Sequence, residues 1–381
     1  MKITDIRLTD PLYLPTSLQT DSINTLSRVN TYIFCQVFTD EGVTGLVPAR
    51  GGGLNKFLVE EALKPYVVGE DPMNNERIWS KMYWGTLGSG RRGAFLIARS
   101  IVDNAVWDIK ARAAKQPIHK LLGGFQDAVN SYGSGINLNL TNDELVKQMT
   151  DFVKDGFKAV KMKIGHKDPK IDLERIRLVR AAIGLDIDLM VDSNNAWSLT
   201  TAIDMAKRME QYDIYWLEEP ILADEIMSLA KLAKETSIPI AVGENHYGKW
   251  EFKELIESGA AEIVQADIGK CGGVTEFLKI AAMADAYGLP VCPHNSDFID
   301  VPCIAAIPNG LFHEHVQVNI EPVYQIVRDP IKPVNGMIAP SNKSGFGIEL
   351  NPDAIKKLRE RPSPEQLRRS TVRGWRWPPY L

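Results

Sequence analysis

AVKMK (159–163), DLMVD (188–192), IYWLE (214–218), IPIAVGE (238–244), IVQAD (263–267), PVCPH (290–294) and GLFHE (310–314) decide the fold. Each is a short apolar run of the kind that strands buried on both faces show. Each closes on a charged or titratable residue: Lys163 (with Lys161 two earlier), Asp192, Glu218, Glu244, Asp267, His294 and Glu314. Successive closing residues lie 20 to 29 residues apart, the length of one strand–helix unit. In a (β/α)8 barrel the carboxyl ends of the strands converge on one mouth, where the active site lies. One strand-end acid carries little information. Seven titratable ends in register point to an enzyme.

Outward from these runs, the spacing predicts strands at Ala159–Lys163, Asp188–Asp192, Ile214–Glu218, Ile240–Gly243, Ile263–Ala266, Leu289–Pro293 and Leu311–Glu314, after a first barrel strand at Val129–Gly133. Helical patterns fill the intervals. Thr141 or Asn142 and Ser198 stand where helix caps belong, and Gly272-Gly273 opens the helix running to Tyr287.

The chain has 381 residues, more than one barrel of about 250 needs, so a second domain is expected. Residues 1–124 supply it. A strand over 1–10 is followed by a hairpin turning at Asp40-Glu41-Gly42, helical patterns over 55–65, 74–84 and 92–115, and a close at Leu121-Leu122-Gly123-Gly124. Polar stretches at about 15–29 and 49–54 read as loops. The barrel occupies 125–350 and a C-terminal segment 351–381, whose Trp375–Tyr380 tail is aromatic and aperiodic.

A net charge of −4 offers no basic surface for nucleic acid, and no apolar run is long enough to span a membrane. Cys35, Cys271, Cys292 and Cys303 are scattered without metal spacing. MKITDIRLTD lacks a signal-peptide core, and the expectation is a reduced, cytoplasmic protein.

Asp192, Glu218 and Glu244 end three consecutive strands. Three converging carboxylates repel one another unless a cation offsets them, and an oxygen-only donor set suits Mg²⁺. Alternation turns Glu219 away from the mouth. Asn194, two residues after Asp192, is a candidate either to support that ligand or to contact substrate. Lys161 and Lys163 face the same way, and two close, desolvated ammonium groups near a cation predict a lysine neutral enough to act as a base. Asp267 beside His294 fixes the imidazole tautomer and makes His294 a usable acid or base. Glu314 is placed to bond a substrate oxygen, with Glu321 as its rival.

These residues resemble the enolase superfamily, in particular its mandelate racemase subgroup, over nearly the whole chain. Such proteins are known for a Lys or His base working with Mg²⁺ on an ene-diolate. The resemblance implies a modified (β/α)7β barrel with an N-terminal α+β capping domain, on which the C-terminal segment packs back. It further implies Lys161-Met162-Lys163 as the KxK motif with Lys163 as base, Asp192, Glu218 and Glu244 as metal ligands, Asp267–His294 as the dyad and Glu314 as the strand-eight acid. In the muconate-lactonising subgroup a lysine replaces the strand-six Asp. Lys270 stands three residues past Asp267 and is not read as that base. The implied function is removal of the proton α to a carboxylate, with dehydration of an acid sugar as the outcome. A racemase or epimerase, a lactone cycloisomerase and a non-enzymatic binding protein are the alternatives. Specificity is expected from the cap loops. Arg50, Tyr13, Arg91 and Arg92 are candidates for a distal contact, and a surface or salt-bridge role is the reading favoured for each. The expected partners are a small carboxylate substrate and further copies of the chain in a homo-oligomer.

Overall fold

The computed structural model describes residues 1–25, 29–49, 53–294, 298–356, 358–360, 362–363 and 370–371. Arg50 and the Trp375–Tyr380 tail lie outside the described residues.

The N-terminal part is an antiparallel sheet. Strands β1 (Ile3–Leu8), β2 (Leu12–Pro15) and β5 (Thr44–Ala49) all pair with the long β4 (Val29–Thr39), while β3 (Asn24–Thr25) stands apart. Gly42, at φ 79°, makes the β4–β5 turn, a conformation that favours glycine. Helix α1 (Gly53–Phe57), a π-helical turn (Leu58–Leu63), α2 (Lys64–Val67) and α3 (Asn75–Gly85) lead to α4 (Ala94–Ala113). Helix α4 is apolar on most of its circumference because it is covered on two sides, by β5 and by the barrel. A side chain at Gly45 would run into the Ala105 carbonyl, so the sheet lies directly on the helix backbone there.

After α5 (Ile118–Leu121) the barrel begins. Parallel strands β6 (Val129–Ser134), β7 (Ala159–Lys163), β8 (Asp188–Asp192), β9 (Ile214–Glu218), β10 (Ile240–Val242) and β11 (Ile263–Val264) follow one another around the sheet. β12 (His313–Val316) pairs back onto β6. The intervening helices are α6 (Asn142–Lys154), α7 (Pro169–Ile183), α8 (Leu199–Met209), α9 (Ile226–Ala233), α10 (Gly248–Glu257), α11 (Val274–Ala286) and α12 (Asp300–Ile304). Thr141 and Glu144 form a reciprocal capping box on α6, and Ser198 accepts from the Thr201 N–H to start α8. The result is seven strand–helix units and a closing strand.

Three barrel strands differ from the sequence reading by two residues or more. The expected strand Ile263–Ala266 ends at Val264. The expected strand Leu289–Pro293 is reduced to Val291, which bridges Val264 on one side and Gly310 on the other. Pro290 and Pro293 flank it, and neither has an N–H to give to a ladder. The last strand lies two residues later than Leu311–Glu314, because its pairing with β6 starts at His313 opposite Ser131. Glu314 is therefore inside β12, one layer below the mouth.

Beyond β12 come α13 (Gln317–Tyr324), β13 (Met337–Ile338) against β6, and α14 (Pro352–Lys356). β14 (Ser370–Thr371) pairs with β3, and the Tyr13 N–H donates to the Leu358 carbonyl. No described helix is long and apolar enough to cross a membrane.

Candidate active site

Strand register assembles the mouth. Lys163 pairs with Asp192, and Asp192 pairs with Glu218, so these side chains leave three adjacent strands on one rung. Glu244 follows β10 by two residues. Asp192, Glu218 and Glu244 are buried and each offers a carboxylate oxygen within 4.8 Å of the others, so the triad could hold a metal ion. An all-oxygen donor set suits a hard divalent cation.

One layer deeper, the buried Lys161 ammonium lies 2.7 Å from Glu218 Oε1 and 2.7 Å from Glu314 Oε1, with Ser134 Oγ donating to Glu314 at 2.8 Å. Lys163 Nζ is paired with Asp192 Oδ2. Contrary to the expectation of a lowered lysine, both are raised. Burial favours the neutral amine, but Asp192 raises Lys163, and Glu218, Glu314 and Asp192 raise Lys161. The same carboxylates are the triad and its neighbour. Asp192, Glu218 and Glu244 would hold a cation through those oxygens, and its charge would offset the carboxylate charge that raises the lysines. Burial alone would raise Asp192, and Lys163 and Lys161 hold it below the usual carboxylate range. Burial pushes Glu218 up to about 8, with Lys161 opposing and Asp192 and Glu314 adding to the rise.

His294 Nδ1 lies 2.9 Å from Asp267 Oδ2 and its Nε2 lies 3.2 Å from Glu244 Oε2. Lys163 and His294 thus touch the two ends of the acid row. Asn194 sits at φ 45°, donates its N–H to Asp192 Oδ1, and leaves its buried Oδ1 without a hydrogen bond. From the cap, Ser22 Oγ donates to the carbonyls of Ser193 and Asn194, which seats the loop after β2 on the rim.

The weaker candidates do not reach the mouth. Glu321 is exposed and bonded by Gln317. Arg92 is paired with Asp224 and Glu251, and Arg91 is exposed. Tyr13 lies within β2, opposite Thr31. Glu219 does not turn away: β9 ends before it, φ is 40°, and its buried carboxylate is held by Asn195 and Asn245. Its proton is held tightly because burial, Glu244 and Asp192 all oppose ionisation. His313 and His315, flanking Glu314, do point elsewhere, to Ser131 and onto the Phe157 ring.

Two contributors went unread, and a third, Lys270, was noticed but given no role. Trp216 Nε1 and Gln265 Nε2 donate to Glu218 Oε2 at 3.1 and 2.8 Å. The alternation that joins Lys161 to Lys163 also joins Trp216 to Glu218 and Gln265 to Asp267, so the signal was present. Lys270 reaches Glu244 and Asp267 from the loop after β11, and no periodicity marks such a contact.

Residues 4–123 match the mandelate racemase / muconate lactonizing enzyme N-terminal domain family, and residues 144–354 match the enolase C-terminal domain-like family. The chain is 34% identical over 334 residues to the arabinonate dehydratase of Saccharolobus solfataricus, covering 85% of this chain and 89% of that protein. It is 31% identical over 349 residues to the 3,6-anhydro-alpha-L-galactonate cycloisomerase of Streptomyces coelicolor, covering 91% and 96%. The L-talarate dehydratase of Polaromonas sp. JS666, solved in complex with Mg and L-glucarate, has a TM-score of 0.84 at 30% identity, covering 98% of this chain and 99% of that one.

Proposed function

The chain belongs to the mandelate racemase / muconate lactonizing enzyme family of the enolase superfamily, and on that premise we propose that it dehydrates an acid sugar, an aldonate or aldarate, to a 2-keto-3-deoxy acid. The observation that carries this reading is the pair of proton carriers at opposite ends of one acid row, Lys163 against Asp192 and His294 against Glu244. Asp192, Glu218 and Glu244 would hold Mg²⁺. When bound, the ion supplies Lewis-acid stabilisation of the negative charge that builds up on the substrate carboxylate as the α-proton leaves.

The chain's own residues do the rest. Lys163, as the free amine, takes the α-proton from one face. Lys161, fixed between Glu218 and Glu314, keeps a positive charge beneath the reacting carboxylate. His294, oriented by Asp267, gives a proton to the β-hydroxyl as its C–O bond breaks, and water departs. The resulting enol tautomerises to the 2-keto acid. The cap loop seated by Ser22 limits access of solvent to this step.

The cycloisomerase relative favours a second reading. If the departing β-oxygen is tethered to the substrate in a ring, the same elimination opens the ring and the product is an isomer. A library of aldonic and aldaric acids, with their lactones and anhydro forms, separates the two. A 2-keto product with loss of one water supports the dehydratase, and a keto product of unchanged mass supports the cycloisomerase. An α-epimer alone would replace both with a racemase. No product from the library, together with no Mg²⁺-dependent α-hydrogen exchange, would sink the catalytic reading.

A further inference from the structure

Among the described residues, Lys270 is the one lysine at the mouth that the steps above leave without a task. It lies in the loop between β11 and α11 with its side chain 14% exposed. Its ammonium is 3.1 Å from the Glu244 carbonyl, 4.0 Å from Glu244 Oε1 and 3.6 Å from Asp267 Oδ2. Those are the two carboxylates that His294 also joins, through Nε2 to Glu244 and Nδ1 to the same Asp267 Oδ2. Asp267, Lys270, Glu244 and His294 therefore form a closed ring in which cationic and imidazole corners alternate with acidic ones. The Asp267 side chain is further fixed by the Gly269 N–H, 2.8 Å from Oδ1.

Lys270 places a positive charge within 4.0 Å of both Asp267 and Glu244, and without it their mutual repulsion is less offset. That repulsion would act on Asp267, which lies outside the metal triad, and His294 would lose the paired contact that defines its orientation. The ammonium has a fixed seat, since the Glu244 carbonyl that accepts its hydrogen bond is part of the backbone.

We propose that Lys270 is a positioning residue for His294: it holds Asp267 and Glu244 together so that the imidazole bridging them keeps one orientation towards the substrate. The inference rests on the reading of His294 as a proton carrier and of Glu244 as a metal ligand. It carries a second consequence of definite sign. A fixed positive charge beside Glu244 opposes a cation bound there, so the lysine trades metal affinity for alignment.

The test uses Lys270→Met, which keeps the apolar stem and removes the charge, and Lys270→Arg, which restores the charge. Mg²⁺ binding to the metal-free protein is measured by calorimetry and needs no substrate. Lys270→Met should bind Mg²⁺ at least about threefold more tightly than wild type, with Lys270→Arg close to wild type. A general loosening of the fold would weaken binding instead. In protein labelled with ¹⁵N-histidine, the His294 Nδ1–H signal, assigned by its absence in His294→Asn, should be sharp in wild type and Lys270→Arg and lost in Lys270→Met. Equal or weaker Mg²⁺ binding with an unchanged imidazole signal overturns the proposal. Absence of acid-sugar turnover overturns the proposed reaction and leaves both readouts standing. Absence of Mg²⁺ binding in wild type overturns the metal reading, and the imidazole signal then decides the role of Lys270 alone. With a true substrate, Lys270→Met should lower kcat at least about tenfold and change KM little, and Lys270→Arg should recover most of it.

Discussion

A buried carboxylate is costly unless a nearby charge or donor compensates it, and the mouth holds several on adjacent strands. Glu218 alone receives Lys161 through both oxygens, together with Trp216 and Gln265. Replacing it by Gln turns an amide towards those donors, and Asp192→Asn does the same to Lys163. Both variants should lose Mg²⁺ affinity by more than about tenfold and turnover by roughly a thousandfold, with the far-ultraviolet circular dichroism of wild type. Normal turnover in excess EDTA would contradict this. Lys163 and His294 separate by isotope exchange. For a substrate whose α-hydrogen faces Lys163, His294→Asn should make no keto product yet still exchange that hydrogen with D₂O, and Lys163→Ala should not exchange it. Nuclear magnetic resonance in D₂O reads both, and wild-type exchange in both variants would overturn the assignment. At this scale the strand-end residues were legible because position along a strand sets direction. Lys270 was noticed for its spacing from Asp267, but its contacts were not legible, since they come from a loop folding across two strands.

At the scale of elements, α11 shows what local patterns hide. Gly272 and Gly273 precede it and bring no side chain to cap its first turn. The caps come from α4 instead: Ser100 Oγ accepts from the Gly272 N–H, Asn104 Oδ1 from Val274 N–H, and Asp103 from both the N–H and the hydroxyl of Thr275. A side chain at Gly273, whose φ is 84°, would collide with Asp103. The glycines read from the sequence as a helix start therefore also mark where the cap lies against the barrel. Burial drives Asp103 up to about 7 despite its two bonds from Thr275. Asp103→Ala strands two donors and should cost about 2 kcal/mol in urea unfolding. Thr141→Ala, at an exposed cap on α6, should cost about 1 kcal/mol. Equal costs would mean that the contact between cap and barrel adds nothing beyond an ordinary helix cap. Strand seven was over-read for a related reason. Apolar character marks a buried run, but Pro290 and Pro293 decide how many backbone bonds it makes.

For the whole molecule, acid should act through histidines that the fold keeps neutral. His313 is buried beneath the mouth with Nδ1 2.9 Å from Ser131 Oγ, and burial pushes it down to about 3, aided by His315 and opposed by Glu314. His315 lies against Phe157, ring centroids 5.5 Å apart, and burial pushes it down to about 4. In the unfolded chain both take up a proton near pH 6.5. Between pH 6.5 and about 4 the unfolded state thus binds more protons than the folded one, and stability falls as pH falls. The loss from each group is on the order of 3 kcal/mol by the acid end of that window. His315→Phe keeps a flat ring against Phe157 and removes one titrating group. Urea midpoints of metal-free wild type and His315→Phe, measured from pH 7.5 to 4.5, should both decline, with a shallower decline in the variant by about one proton's worth of slope. Parallel declines would show that His315 is protonated as readily in the folded chain as in the unfolded one. The overall architecture was legible because alternating apolar runs and strand-end charges repeat around one axis. The burial of His313 and His315 was not, since alternation says only that they leave the mouth, and packing decides whether they reach water.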